Sequence, residues 1–186
     1  MNESHEASLI RRSQQRDKEA FCTLMERYRN MLFGTAYLMM RDRGQAEDIV
    51  QETLIQTWKH LPSFRLQSNI KTWLIRIVLN EVKQQFRKKA VQTVVLEQSA
   101  EIANDFGKPE TDMILDENRL RLKRTVEMLS QEHREVVVLR YFSELTVPEI
   151  AAAIGQREGT VKSRLNRALN HLNEIIRTDK TWEGWR

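Results

Sequence analysis

Residues 144–172, ELTVPEIAAAIGQREGTVKSRLNRALNHL, carry the strongest local structural signal in the chain. Thr146 and Glu149 have the spacing of a capping box, which marks the start of a helix. Gly155 is typical of a residue that ends one. The stretch therefore predicts a short helix, a tight turn and a second helix that begins near residues 157–160.

The second helix of this pair presents two unlike faces. Its apolar face contains Val161, Leu165, Ala168, Leu169 and Leu172. Its basic and polar face contains Arg157, Thr160, Lys162, Ser163, Asn166, Arg167 and Asn170. Such side chains reach phosphates and base edges when the first turns of a helix enter a DNA major groove. A solvated helix of an ordinary bundle can also carry a charged face, but the helix-turn-helix spacing favours DNA binding.

Composition indicates a helical protein of ordinary size. The chain has 186 residues, 40% of them hydrophobic and 30% charged, which suffices for one ordinary domain or two small ones. Six Gly and three Pro leave little material for hairpins. We therefore expect an all-α fold.

No metal, cofactor or membrane-spanning segment is expected. Cys22 is the single cysteine, so an internal disulfide or a cysteine-based metal cluster cannot form. We expect Cys22 to be a small buried apolar residue, and the four His residues are scattered. The N-terminus lacks the apolar core of a signal peptide, and the apolar run at residues 31–40 is shorter than the ~20 residues that cross a bilayer. These features predict a cytoplasmic protein.

Residues 17–40 and residues 45–61 each predict a helix. The first becomes almost wholly apolar, so we expect it in the core, with Met39 and Met40 as packing residues. The outward face of the second contains Asp48, Gln51, Glu52 and Ile55. An isolated exposed isoleucine is ordinary. Beside two carboxylates one turn apart, it is more typical of a docking face for a basic partner.

A third helix is predicted from Ile70 to about Lys89, after a polar loop at residues 64–69. Its buried side contains Leu74, Ile75, Val78, Leu79, Val82 and Phe86. Its opposite arc contains Trp73, Arg76, Ile77, Asn80, Lys83, Gln84 and Arg87. This mixture can stack bases, read their edges and neutralise the backbone of a single strand. Alternatively, Trp73 and Ile77 pack under the preceding helix.

The chain divides into two predicted small helical domains. Residues 1–89 form the first, and residues 90–113, where periodicity fades, form a flexible linker. Seven acids and one base lie between residues 97 and 117, so the net charge of +4 is unevenly distributed. Residues 114–177 form a four-helix unit that ends in the helix-turn-helix, and residues 178–186 form a tail.

Three segments together resemble the bacterial RNA polymerase sigma factors of the extracytoplasmic-function, or group IV, type. Residues 46–59, AEDIVQETLIQTWK, and residues 64–89, FRLQSNIKTWLIRIVLNEVKQQFRKK, look like the promoter-melting domain. Residues 129–169, LSQEHREVVVLRYFSELTVPEIAAAIGQREGTVKSRLNRAL, look like the domain that reads the −35 element. In this order, and without a larger third domain, the segments are highly specific.

The resemblance implies a role for each face. Residues implied to bind the clamp coiled coil of core RNA polymerase are Asp48, Gln51, Glu52 and Ile55. Residues implied to contact −10 DNA, including a flipped-out base, are Phe64, Gln67, Ser68, Asn69, Trp73, Arg76, Asn80, Lys83 and Arg87. Residues implied to contact −35 DNA are Arg140, Arg157, Thr160, Lys162, Ser163, Asn166 and Arg167.

The implied partners are core RNA polymerase, through its clamp and flap, promoter DNA and an anti-sigma factor that can be membrane-bound. The chain would act in the holoenzyme as a monomer. It would not be an enzyme, since the sequence contains no recognisable nucleophile with a base, no paired catalytic carboxylates and no phosphate-binding glycine loop. Two alternative functions remain open. The chain could be a two-domain activator that senses a ligand or partner through an apolar N-terminal pocket, or it could be a plain scaffold protein.

Overall fold

The computed structural model describes residues 3–65, 69–96 and 117–178. The helices are α1 (Glu3–Gln14), α2 (Lys18–Met40), α3 (Arg43–His60), α4 (Ile70–Leu96), α5 (Glu117–Glu127), α6 (Gln131–Val137), α7 (Val147–Ile154) and α8 (Glu158–Thr178). A 3-10 turn, Leu61–Ser63, follows α3, and a π-helical turn, Val138–Phe142, follows α6. Within these ranges all regular structure is helical, which confirms the predicted fold class. Residues 97–113 of the predicted linker and residues 179–186 of the tail lie outside the described residues.

An aspartate side chain caps the start of α2 and another caps the start of α3. Asp17 Oδ1 accepts a hydrogen bond from the Ala20 backbone N–H at 3.0 Å, and this bond is the first cause of the lowered pKa of Asp17. Asp42 Oδ1 accepts one from the Gln45 N–H at 2.8 Å. Between the two helices Arg41 adopts a left-handed conformation with φ of 61°, which stops α2 and redirects the chain. Caps at both starts fix where the two helices begin.

The interior of α2 is partly as predicted. Met39 and Met40 are buried, as expected for packing residues. Cys22 is exposed, so the prediction of a buried cysteine is wrong. The apolar stripe of α2 is narrower than its composition indicates, because Leu24 and Met25 form the buried side of that turn and Cys22 lies outside it.

Helix α4 is longer than predicted. It continues seven residues past Lys89 to Leu96, so residues 90–96 are helical rather than linker. No Gly or Pro interrupts the sequence after Lys89 until Gly107, and nothing in the chain therefore forces an earlier end. The buried face of α4 is confirmed for Leu74, Ile75, Val78, Leu79 and Val82, while Phe86 is half-buried.

Helix α1 was not predicted, because its apolar content is concentrated in the adjacent pair Leu9 and Ile10, both buried. Two side-chain contacts tie α1 to the rest of the fold. The Tyr28 hydroxyl donates to Glu6 Oε2 at 2.8 Å; burial, followed by this bond, raises the pKa of Tyr28. Gln14 Nε2 donates to the Phe64 carbonyl at 2.7 Å, which holds the start of the loop that precedes α4.

The C-terminal helices follow the predicted helix-turn-helix. The Thr146 N–H donates to Glu149 Oε2 at 2.8 Å, and the Glu149 N–H donates to Thr146 Oγ1 at 3.4 Å, so the capping box is confirmed. Gly155 ends α7 with φ of 69°, also as predicted. On α8, Val161, Leu165, Ala168 and Leu172 are buried.

One leucine was wrongly assigned to an apolar buried face. Leu169 on α8 is 40% exposed. It lies at the margin of its stripe, where helical spacing alone does not determine whether a neighbouring helix covers the side chain.

The N-terminal half, α1–α4, and the C-terminal half, α5–α8, are in direct contact. Helix α4 packs on α7, and α2 packs on the π-helical turn and on α5 and α6. Helix α3 packs on α2, α4 and the 3-10 turn, all in its own half. The two halves therefore share an interface that leaves the outer face of α3 uncovered.

Candidate nucleic-acid interface

Helix α4 presents a continuous basic stripe to solvent. Arg76, Asn80, Lys83 and Arg87 are all exposed, at intervals of four, three and four residues that place them on one side of the helix. None of the three bases forms a salt bridge with another of the described residues. An unpaired row of cations that also contains an amide can neutralise phosphates and read a base edge.

The aromatic pair beside this stripe is only partly accessible. The rings of Phe64 and Trp73 lie 5.0 Å apart between centroids, at an interplanar angle of 44°. Phe64 is 6% exposed, so as placed its ring supports Trp73, and a contact of Phe64 with −10 DNA stays a prediction. Trp73 is half-buried, with part of its indole left to solvent. Both the outward and the packed interpretation of Trp73 are therefore partly correct.

The loop before α4 supplies the cap of that helix. Asn69 Oδ1 accepts a hydrogen bond from the Lys71 N–H at 2.9 Å, and the Asn69 carbonyl accepts one from the Trp73 N–H at 3.1 Å. Asn69 is exposed, and its side-chain nitrogen is not used in these two contacts. Gln67 and Ser68, the other predicted loop residues, lie outside the described residues.

The helix-turn-helix presents its predicted polar face on α8. Arg157, Lys162, Ser163, Asn166 and Arg167 are exposed, whereas Thr160 is half-buried. Lys162 Nζ lies 4.0 Å from Glu158 Oε2, a surface pair that DNA phosphates can replace. The face is therefore free to meet a duplex.

One salt bridge ties α8 to a neighbouring helix of its half. Within α8 itself, Ser163 Oγ donates to the Thr160 carbonyl at 3.0 Å. Arg164 forms a salt bridge of 3.0 Å with Glu132, at the start of α6. Arg140 is exposed on the π-helical turn, where it donates to the Leu145 carbonyl at 2.9 Å. Arg140 thus lies on a different element from the α8 residues with which it was grouped.

A third surface is the acidic outer face of α3. Asp48 and Gln51 are exposed, Ile55 is 47% exposed, and Glu52 is half-buried and accepts a hydrogen bond from Gln56 at 2.6 Å. The structure brings these predicted residues onto one face. No salt bridge to Asp48 or Glu52 occurs within the described ranges, so their charge is available to a partner.

Sequence reasoning missed Glu81 as a member of this acidic surface. Glu81 on α4 is 9% exposed and lines a cleft of about 440 Å³ together with Asp48, Glu52 and Lys88. Burial, followed by the nearby charge of Glu52, raises the pKa of Glu81, and Lys88 opposes the rise. The signal available was its position: Glu81 falls on the buried side of α4, where a carboxylate is unusual.

A second cleft lies next to this surface, between α2 and α3. It has a volume of about 650 Å³ and is lined by both apolar and charged residues, among them Phe21, Met25, Arg29, Glu47 and Leu54. In the part of the chain that the structure describes, no three His, Cys, Asp or Glu side chains are arranged to hold a metal ion. Nor is any described helix long and apolar enough to span a membrane.

Comparison with known proteins places both halves in one family. Residues 24–91 match the family described as Sigma-70 region 2, and residues 119–172 match the one described as Sigma-70, region 4. The RNA polymerase sigma-H factor of Pseudomonas aeruginosa is 28% identical over 185 residues, which covers 95% of this chain and 96% of that protein. The ECF RNA polymerase sigma-E factor of Escherichia coli K12 is 34% identical over 179 residues, covering 90% and 92%.

A solved structure of a sigma factor is also similar to this chain. The sigma factor RpoE from Bartonella quintana, crystallised with the anti-sigma factor NepR, is similar with a TM-score of 0.68 and 31% identity over 85% of this chain and 99% of that one. Family matches in both halves, together with relatives of this identity and coverage, are sufficient to assign the family. This chain belongs to the sigma-70 family of RNA polymerase sigma factors, in its extracytoplasmic-function group.

Proposed function

We propose that this chain binds core RNA polymerase and directs it to promoters by reading a −35 element with α8 and a −10 element with α4 and the loop before it. The observation that carries the proposal is the presence, in one chain, of two separate exposed basic faces on a sigma-70 region 2 and a sigma-70 region 4 unit. One face suits a duplex and the other a single strand.

At the −35 element, α8 would enter the major groove. Exposed Arg157, Lys162 and Arg167 supply phosphate contacts and, where geometry allows, bidentate contacts to guanine, while Asn166 suits adenine. Arg140, from the π-helical turn, would contact the backbone next to the helix. The salt bridge between Arg164 and Glu132 joins α8 to α6.

At the −10 element, strand opening would be driven by binding energy and not by catalysis. Unstacking a base costs a few kcal/mol, which is offset when the protein holds the flipped base. The exposed part of Trp73 can stack against a base, Asn80 can read an edge, and Arg76, Lys83 and Arg87 can follow the strand's phosphates. Because Phe64 is buried behind Trp73, it would position that indole.

Core polymerase would dock on α3. Asp48, Gln51 and Glu52 offer acceptors to a basic helix pair such as the clamp coiled coil, and Ile55 adds an apolar contact among them. The C-terminal half would meet the flap. In the holoenzyme a single copy of the chain suffices, since each surface occurs once per copy.

An anti-sigma factor would control the chain in the cytoplasm. The similar sigma factor from Bartonella quintana was crystallised with the anti-sigma factor NepR, and this supports a comparable partner here. Whether that partner is soluble or membrane-bound would determine if the inactive chain is held at the membrane.

Transcription on genomic DNA with purified core polymerase tests the proposal without knowledge of the promoter. Sequencing of transcript 5′ ends should reveal starts that cluster downstream of two shared motifs when the chain is added, whereas core alone starts without selection. An activator would act only after another sigma factor is supplied. If the chain leaves the pattern of core alone unchanged, the proposed function is wrong.

A double variant tests the docking face in the same assay. Asp48→Lys with Glu52→Lys should abolish association with core, because both acceptors become cations facing a basic partner. A matched control reverses two exposed glutamates elsewhere, Glu19→Lys with Glu174→Lys. Both variants should retain the helical circular dichroism of the wild type. Normal co-purification of the first variant with core would refute the assignment of α3.

A further inference from the structure

One side-chain amide of α1 reaches two main-chain carbonyls just before the −10 face. Gln14 Nε2 donates to the Leu61 carbonyl at 3.2 Å and to the Phe64 carbonyl at 2.7 Å. The first carbonyl belongs to the residue that begins the 3-10 turn after α3, and the second to the residue that follows this turn. An amide nitrogen carries two N–H donors, so Gln14 uses both of them on this one turn.

A neighbouring side chain holds the end of α3 in the same way. The last carbonyls of an α-helix have no donor within the helix, and side chains from elsewhere can satisfy them. Arg16 Nη1 donates to the Trp58 carbonyl at 2.7 Å, and its guanidinium lies 5.2 Å from the centroid of the Trp58 ring. Residues 14–16 therefore hold both the end of α3 and the 3-10 turn that follows it.

The segment that supplies these donors has a fixed conformation of its own. Arg12 Nε donates to Asp17 Oδ2 at 2.8 Å, which closes the turn between α1 and α2. Between them Arg16 has φ of 69°, a left-handed conformation that is uncommon for a residue other than glycine. Helix α1 packs on both α2 and the 3-10 turn. These contacts set the position from which Gln14 reaches the turn.

Phe64 connects this turn to the indole that is proposed to stack on a base. The Phe64 N–H donates to the Leu61 carbonyl at 3.0 Å and the Phe64 carbonyl accepts from Gln14, so both backbone groups of Phe64 are held. Its buried ring lies 5.0 Å from that of Trp73 between centroids. Because packed side chains leave little free space, a shift of the Phe64 backbone must also shift the indole.

We infer that Gln14 is a positioning residue for the −10 face, and that it sets the place of the Trp73 indole through the backbone and ring of Phe64. This role rests on the proposed function, in which Trp73 stacks against a flipped base. Helix α1 precedes residues 24–91, which match Sigma-70 region 2, so an element outside the matched stretch contributes to base capture. Gln14 acts through the protein and not on DNA, because its amide hydrogens are committed to the two carbonyls.

An isosteric substitution removes the two donors and keeps the shape of the side chain. In Gln14→Glu the carboxylate has no hydrogen to donate and faces two carbonyl oxygens, so the turn should move away from it. The matched control is Gln15→Glu, which makes the same chemical change at the next residue, an exposed glutamine. Gln14→Lys restores donors, since an ammonium carries three N–H groups, and Gln15→Lys controls for its charge.

The first measurement uses the free chain and needs neither DNA nor polymerase. In protein labelled with ¹⁵N-tryptophan, the indole N–H signal of Trp73 is identified by its absence in Trp73→Phe. This signal should shift in Gln14→Glu, because the Phe64 ring moves relative to the indole. It should stay at the wild-type position in Gln15→Glu and return toward that position in Gln14→Lys.

The second measurement tests base capture by the holoenzyme. The probe is a promoter fragment identified by transcript sequencing, with a single-stranded −10 non-template segment in which each base in turn is replaced by an abasic site. In the wild type, removal of the captured base should weaken binding about tenfold, the size expected for stacking of one base on an aromatic ring. In Gln14→Glu the same removal should weaken binding much less, whereas both Gln15 variants should keep the wild-type ratio.

A double variant separates positioning from a general loss of stability. Trp73→Ala should abolish the dependence on the captured base. Adding Gln14→Glu to Trp73→Ala should change the affinity no further, because residues that act through one contact are not additive. An additive loss would overturn the role of Gln14, since this residue would then act elsewhere.

The remaining outcomes distinguish this role from the proposed function. An unchanged Trp73 signal in Gln14→Glu, an equal shift in Gln15→Glu or an equal shift in Gln14→Lys would each overturn the role of the Gln14 donors. Full dependence on the captured base in Gln14→Glu would overturn it as well. If the wild-type chain selects no promoter, the proposed function fails instead, while the indole signal still reports whether Gln14 positions Trp73.

Discussion

The basic stripe on α4 predicts a measurable change in the salt dependence of promoter binding. The triple variant Arg76→Ala, Lys83→Ala, Arg87→Ala removes three exposed cations and leaves Asn80 and Trp73 in place. Alanine is the strongest helix former, so α4 should remain folded. The stripe spans about 16 Å along the helix, enough for three cations to reach three successive phosphates of one strand.

The size of the expected change in salt dependence follows from the release of counterions from the DNA phosphates. Each phosphate contact to a single strand contributes about 0.7 to the slope of log affinity against log salt concentration, so three contacts contribute about 2. Between 50 and 200 mM salt, the wild-type affinity should therefore fall about 20-fold more than that of the variant.

Fluorescence anisotropy of the holoenzyme on promoter DNA with a single-stranded −10 non-template segment measures this slope. The matched control, Arg11→Ala, Lys18→Ala, Arg27→Ala, removes the same total charge from exposed positions on α1 and α2. Its slope should match the wild type. A triple variant of α4 with an unchanged slope, or a control with an equal loss, would refute the assignment of the stripe to the −10 strand.

Two further predictions concern stability. The raised pKa of Glu81 means that the folded state holds its proton more tightly than the unfolded state, so this residue destabilises the fold at neutral pH, and the penalty fades as pH falls through the raised value. The Glu81→Gln variant keeps an acceptor for Gln84 and should unfold at a higher temperature than wild type at pH 7, with the difference shrinking toward pH 4.5. A lower unfolding temperature at pH 7, or a difference independent of pH, would contradict this. The control Glu174→Gln, at an exposed position, should change neither the unfolding temperature nor its pH dependence. The Gly155→Ala variant places a side chain on a residue with φ of 69° and should lower the free energy of unfolding, measured by chemical denaturation, by about 1 kcal/mol. The control Gly159→Ala lies within α8, where a β-carbon meets open space, and should raise the free energy of unfolding slightly. Equal effects would show that the end of α7 does not need the left-handed conformation.

The helix-turn-helix was readable from sequence because its signals are local. A capping box and a left-handed glycine involve residues within a few positions of each other, so Thr146, Glu149 and Gly155 predict their own geometry. The same holds for the stripe on α4 and the outer face of α3, where periodicity determines which side chains point together. The resemblance to sigma factors, drawn from these stretches, is confirmed by the family matches.

The predictions from sequence were wrong where the local capping signal was weak, or where packing against a neighbouring helix determines whether a side chain is exposed. The end of α4 and the existence of α1 depend on tertiary packing more than on capping residues, so both were missed. Leu169 and Cys22 lie at stripe margins, where exposure depends on which helix packs nearby. The roles of the individual DNA-contacting and polymerase-contacting residues stay predictions.

Sequence by itself determined the all-helical class, the helix-turn-helix and which polar residues share an exposed face on α3, α4 and α8, since each depends on periods of three to four residues. Only the tertiary structure decided that Phe64 lies buried behind Trp73, that Glu81 approaches Glu52, and that the halves close on each other around Gly34. These contacts join residues far apart in the chain, and no local pattern encodes which distant surfaces fit together. The packing of the two halves on each other is therefore a property of the folded molecule.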